Sequence, residues 1–84
     1  QYWIGEIYLL KKNYREAALV FAEGYQKYPN SLKAPDILYK LSGALLNIDK
    51  KIEACNTLSK FKKDYAEHKL MENINSRYED LKCE

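Results

Sequence analysis

The sequence predicts an all-α protein of five short helices, and three observations carry that reading. Apolar residues recur at i, i+3, i+4 and i+7 in five successive stretches, and no stretch alternates with period two for long. Only three of the 84 residues are Gly and two are Pro, too few for a turn-rich β fold or a disordered chain. The chain also matches itself at a spacing of 37 residues, as stacked supersecondary units do. A chain of this length buries roughly 60% of its unfolded surface, so its core is thin. That disfavours a deep catalytic cleft and favours a binding surface.

The first stripe is Tyr2, Trp3, Ile4, Ile7, Tyr8 and Leu9 or Leu10. The polar Lys11-Lys12-Asn13 ends it, and Asn13 with Glu16 three residues on makes a capping-box start for the second helix. Ala17, Ala18, Phe21, Tyr25 and Tyr28 form that helix's face, and Pro29 stops it because proline cannot continue a hydrogen-bonded helix. Ser31 is placed to cap the third helix, with Pro35 tolerated in its first turn. Ile37, Leu38, Leu41, Leu45 and Ile48 form the third stripe, and Asp49 is the expected cap of the fourth helix. Ile52, Cys55, Leu58, Phe61 or Lys62, and Tyr65 follow; after a break at Ala66–His68 come Leu70, Met71, Ile74, Tyr78 and Leu81. Connections of about two to five residues make neighbouring helices antiparallel.

Shifting the chain by 37 sets Tyr2 on Tyr39, Leu9 on Leu46, Glu16 on Glu53, Ala17 on Ala54 and Tyr28 on Tyr65. Gly5 meets Ser42, Ala18 meets Cys55 and Phe21 meets Leu58. The first copy fits the tetratricopeptide pattern of small residue, aromatic, Ala, Phe and Pro, through Gly5, Tyr8, Ala17, Phe21 and Pro29. Gly5 falls where the helices of a pair come closest, and Phe21 fills the space between pairs. The second copy is degenerate, with Ser42, Leu45 and Ala66 replacing Gly, Tyr and Pro.

This predicts an α-α superhelix of two helix pairs and a closing helix. Residues 1–30 form one repeat with a shortened first helix, and 31–67 a second. The second repeat's first helix is lengthened by about one turn, through Ser31–Asp36. Residues 68–84 form a C-terminal capping helix. Two repeats fall short of the roughly three a stable array needs, so the chain reads as part of a longer solenoid.

In such a stack the first helices of the pairs line one concave face. The expected partner-binding groove is Tyr2, Glu6, Leu9 and Leu10 with Asp36, Tyr39, Gly43, Leu46 and Asn47. Tyrosines bring rigid contact area with one hydroxyl, and Gly43 leaves room for a partner backbone. The alternative is that Tyr2 and Tyr39 pack only within the solenoid.

Nothing in the sequence points to an enzyme, a cofactor or a metal. His68 is the lone histidine and reads as a solvated loop residue. Cys55 reads as a small core residue and Cys83 as exposed, and a bridge between them is not expected. Counted from the turn near Glu67, ideal helices offset them by roughly 6 Å. The net charge of +2, with Lys60, Lys62 and Lys63 as the densest cluster on a solvated helix face, does not suggest nucleic acid. No run approaches the ~18 apolar residues of a membrane span.

Tyr2-Trp3-Ile4-Gly5-Glu6, Tyr28-Pro29-Asn30-Ser31, Lys33-Ala34-Pro35-Asp36 and Glu53-Ala54-Cys55-Asn56-Thr57-Leu58 occur in this order. Together they resemble the C-terminal tetratricopeptide domain of the Tol–Pal-associated cell-division coordinators of Gram-negative bacteria, the CpoB/YbgF family. The resemblance runs from Tyr2 to about Leu81, with departures at Ser42, Lys50, Ile52 and Ala66. It implies a periplasmic adaptor that binds the energy-coupling protein TolA and ties outer-membrane constriction to peptidoglycan synthesis. It also implies a parent protein with a signal peptide and a trimerising coiled coil. A homo-oligomer would form through that coiled coil or through the Tyr2-Trp3 face. The competing expectation is a structural subunit of another envelope assembly machine, such as that of outer-membrane barrel assembly.

Overall fold

The computed structural model describes residues 2–83. Five helices follow one another: α1 (Tyr2–Leu10), α2 (Tyr14–Lys27), α3 (Ala34–Leu46), α4 (Lys51–Asp64) and α5 (Met71–Asp80). Each packs on its neighbour in sequence. An ion pair joins α1 to α3, and Arg77 hydrogen bonds join α5 to α3. The odd-numbered helices therefore form one layer, with α2 and α4 in the other.

The 37-residue period of the sequence is a period of the backbone. α2 and α4 are both 14 residues long, start 37 residues apart and are left through near-identical geometry, with φ of −132° at both Tyr28 and Tyr65. The turns into them pass through left-handed residues at the same offset, Lys12 (φ 60°) and Asp49 (φ 61°). In each turn the next backbone N–H reaches back across the helix end, from Asn13 to the Tyr8 carbonyl and from Lys50 to the Leu45 carbonyl. α5 starts 37 residues after α3, so the closing helix lies in the register of a repeat's first helix.

The core is a strip between the layers. Ala17, Ala18 and Phe21 of α2 meet Ile37, Leu41 and Ala44 of α3, with Tyr2, Tyr8 and Leu9 of α1 packed on them. Leu38, Leu58, Phe61 and Ile74 form the second cluster, from α3, α4 and α5. Gly5 is buried against the Phe21 ring, and a Cβ there would fall inside the ring's van der Waals envelope. Small residues at Gly5 and Ala17 thus set the close approach of α1 to α2.

Several local expectations are corrected. The α2 boundary lies at Asn13 as expected, but its side chain makes no cap hydrogen bond. The residue preceding α3 is Lys33, not Ser31; Ser31 Oγ instead accepts from the Lys33 backbone N–H at 3.2 Å, inside the connection. Lys50, not Asp49, precedes α4, because Asp49 is the left-handed residue of the turn. Pro35 does sit in the first turn of α3. Of Ser31–Asp36, the first three residues remain in the connection and only Ala34–Asp36 join the helix. Trp3, Ile4, Ile7 and Leu10 are exposed on the outer side of α1, and Ile52 is exposed on α4, where Ala54 takes the core position.

The largest correction concerns the cysteines. Cys55 and Cys83 form a disulfide, with Cα atoms 5.5 Å apart. The offset expected from ideal helices assumed that α5 continues to Cys83. α5 ends at Asp80, the chain turns through the left-handed Lys82 (φ 57°), and the Cys83 N–H donates to the Tyr78 carbonyl. That turn brings Cys83 back onto α4.

Candidate functional site

The expected groove residues divide among three places. Tyr39 and Leu46 of α3 line a hollow of about 350 Å³ with Asn73, Ser76, Arg77, Asp80 and Leu81 of α5 and its end. Glu6, Leu9 and Leu10 line a second hollow of about 400 Å³ with Trp3 and Ile7, on the outer side of α1. Tyr2 lines a small third one beside Lys33 and Ile37. Asp36 and Gly43 are half-buried on α3. Asn47 is exposed at the end of α3, and its amide donates back to the Gly43 carbonyl at 2.9 Å.

The α3–α5 hollow is built around one cation. Arg77 Nη1 donates to the Tyr39 carbonyl at 3.1 Å and to Ser42 Oγ at 2.8 Å, and its guanidinium lies 4.3 Å from the centre of the Tyr39 ring. Nη2 reaches the Tyr39 hydroxyl at 3.4 Å. Arg77 packs closely over Gly43, where a Cβ would stand 3.3 Å from Nη1. The space at Gly43 is therefore taken by Arg77 of the same chain and not left for a partner backbone. Tyr39 is partly satisfied inside the solenoid, yet it stays half-exposed at the rim of the hollow.

The same face carries a second cation one repeat earlier. Lys40, 37 residues before Arg77, pairs with Glu6 of α1 at 3.3 Å. Tyr2 packs edge-on to Trp3 and tilted against Phe21, beneath the Lys33 ammonium at 4.8 Å. Burial raises the Tyr2 hydroxyl pKa above its usual value, and Glu6 and Asp36 add to the rise. The layer of α1, α3 and α5 is thus lined by tyrosines, carboxylates and cations, a surface suited to polar and aromatic contact with a chain segment.

His68 is not a solvated loop residue. It is half-buried, edge-on to Phe61 at 5.5 Å, and its Nδ1 accepts from the Leu70 backbone N–H at 3.0 Å. Ser31 makes the same contact to Lys33 one period earlier, so His68 is a turn acceptor. Lys62 is likewise no plain solvated charge, since its ammonium caps the Tyr78 ring at 3.9 Å. Lys60 pairs with Asp64 at 2.9 Å, a contact that raises its pKa. Among the described residues, no group of His, Cys, Asp and Glu is placed to hold a metal ion, and no helix is long and apolar enough to cross a membrane.

Arg77, Asn73, Ser76 and Asp80 were not among the expected site residues. The signal for them lay in the period: Ile74 follows Ile37 and Arg77 follows Lys40 by 37 residues, which places α5 on the same face as α3.

A layered stack of helix hairpins with a period carried by Gly5, Ala17, Phe21 and their counterparts is a tetratricopeptide-like helical repeat. Residues 1–31 match the Tetratricopeptide repeat family. No curated protein and no solved structure matches the chain. A repeat of this kind is a module for binding other proteins, and its fold is not a catalytic one.

Proposed function

We propose that this chain is a protein-interaction adaptor of the bacterial cell envelope, acting in the periplasm on a TolA-like partner and coordinating outer-membrane constriction with peptidoglycan synthesis during division. The interaction half of the reading rests on one observation, the open α3–α5 hollow in which Tyr39, Leu46 and Leu81 give apolar area beside Arg77 and Asp80. Tyr and Arg side by side are the residue types in which binding energy concentrates. The compartment is supported by the Cys55–Cys83 disulfide, because such bonds persist where the surroundings are oxidising. The partner and the process come from the order of Tyr28-Pro29-Asn30-Ser31, Lys33-Ala34-Pro35-Asp36 and Glu53-Ala54-Cys55. The groove on this reading is Tyr2, Glu6, Tyr39 and Leu46, extended by Asn73, Ser76 and Arg77.

The test is a calorimetric titration of purified TolA against the wild type, Tyr39→Ala and Leu46→Glu. Each variant should weaken binding by about 1–3 kcal/mol while the helical circular dichroism is kept. Affinity unchanged in both variants removes the α3–α5 hollow from the interface, and no binding by the wild type removes TolA.

A further inference from the structure

The opposite layer holds a hollow of different character. It measures about 430 Å³ and is open to solvent. Its walls are Ala18, Leu19 and Ala22 of α2 with Leu41, Leu45 and Ile48 from α3 and its end. Almost all of its surface is carbon, and Leu19 is 63% exposed at its edge. Two cations stand on the rim, Arg15 in the first turn of α2 and Lys50 at the start of α4. Neither pairs with a carboxylate among the described residues. Glu53 is the one rim anion, in the first turn of α4. The N-terminal ends of α2 and α4 add their positive dipole ends to the same edge.

The counterpart of Ala18 one period on is Cys55, which is bonded to Cys83 of the chain's own tail after the turn at Lys82. One period on the lining differs, with Asn56, Ser59, Tyr78 and Lys82 at the positions of Leu19, Ala22, Leu41 and Leu45, so the carbon-walled hollow belongs to the first repeat alone.

We infer that the hollow between α2 and α4 is a second docking surface, which takes an apolar segment of a partner protein carrying an acidic side chain against Arg15 and Lys50. The apolar residues would fill the space over Ala18 and Ala22, and the carboxylate would meet the two cations and the helix ends. This surface is independent of the α3–α5 hollow and of the identity of any partner bound there.

The experiment selects a displayed library of random dodecapeptides against the full chain. Selected clones are then measured against Ala22→Phe, which fills the hollow, and Arg15→Glu/Lys50→Glu, which reverses the rim. Both rim positions lie at helix N-termini, where a carboxylate is tolerated, so the double variant keeps its fold. The expected clones combine apolar residues with Asp or Glu, lose binding to Ala22→Phe and weaken about tenfold or more on the reversed rim. They bind Tyr39→Ala as they bind the wild type. Clones without acidic residues, clones indifferent to both variants, or no enrichment at all overturn the inference. So does self-association of the chain that Ala22→Phe abolishes, which would assign the hollow to a second copy.

Discussion

Arg77 of α5 donates to Ser42 Oγ of α3 at 2.8 Å, and Ser42 is a fully buried polar residue in the core strip. The hydroxyl in turn donates to the Tyr39 carbonyl at 2.6 Å, so one cation, one hydroxyl and one carbonyl are tied in a closed set. The backbone of α5 packs on α4, and this set is its polar attachment to α3. Hydrogen bonds to a charged group contribute about 1.5–3 kcal/mol when buried, and Arg77 is half-buried. Arg77→Ala should therefore cost about 1–2 kcal/mol in urea unfolding. Arg77→Lys should restore little, because an ammonium has no planar face to lie on the Tyr39 ring while it donates to the Tyr39 carbonyl and Ser42 Oγ. A lysine variant as stable as wild type would show that charge alone holds α5.

Gly5 and Phe21 form the tight contact of the first repeat; the corresponding pair in the second is Ser42 and Leu58, both fully buried. A larger residue on the first helix is matched by a smaller one on the second. Gly5→Ala should cost about 1–3 kcal/mol by overpacking against Phe21. Gly5→Ser combined with Phe21→Leu should be less destabilised than the sum of the two changes, with a coupling of about 1 kcal/mol or more in a double-mutant cycle. Additive losses would mean that the two positions do not share one volume.

The five helices and their period were legible because burial imposes its pattern on every turn of Ala17–Phe21, Ile37–Leu41 and Ala54–Leu58. The site was less so. Treating residues 68–84 as a generic cap hid the 37-residue offset of Arg77 from Lys40, and with it half of the α3–α5 hollow. Gly43 looked like an opening, but an arginine two helices along in the chain fills it, which no local pattern reports. The disulfide was missed because spacing along an ideal helix says nothing of where the helix stops. α5 has 10 residues against 13 in α3, and that shortening with the turn at Lys82 aims Cys83 at Cys55. The residue before α4 was misjudged by one position because Asp49 takes a left-handed turn that its residue type does not demand.

The Cys55–Cys83 bond closes a loop spanning 28 residues that contains α5. Chain-entropy arguments give such a loop about 3–4 kcal/mol of stability. For a small domain whose total is of order 5–10 kcal/mol, that is a large share. The Cys55→Ser/Cys83→Ser variant should unfold at markedly lower urea, and reductant should bring the wild type down to the same midpoint while leaving the variant unmoved. A wild type unaffected by excess reductant would mean that the α5 tail holds its place without the bond.

Tyr65 ties the two repeats together, and its titration should be visible in stability. Its hydroxyl donates to the Pro29 carbonyl at 3.3 Å, across the connection between α2 and α3. Burial raises its pKa first, and Tyr25 and the Asp64 carboxylate raise it further. Tyr2 is raised too, again chiefly by burial. A phenol whose folded pKa lies above its unfolded value of about 10 binds its proton more tightly in the folded state. Its contribution is complete below about pH 10 and is lost as the pH climbs through the folded value. The midpoint of urea unfolding should therefore fall as the pH rises above about 10. Tyr65→Phe should be less stable at neutral pH, having lost the Pro29 contact, but should show a shallower fall in the alkaline range. An identical alkaline slope in wild type and variant would assign the loss to other groups, with the Lys60–Asp64 contact the next to be removed.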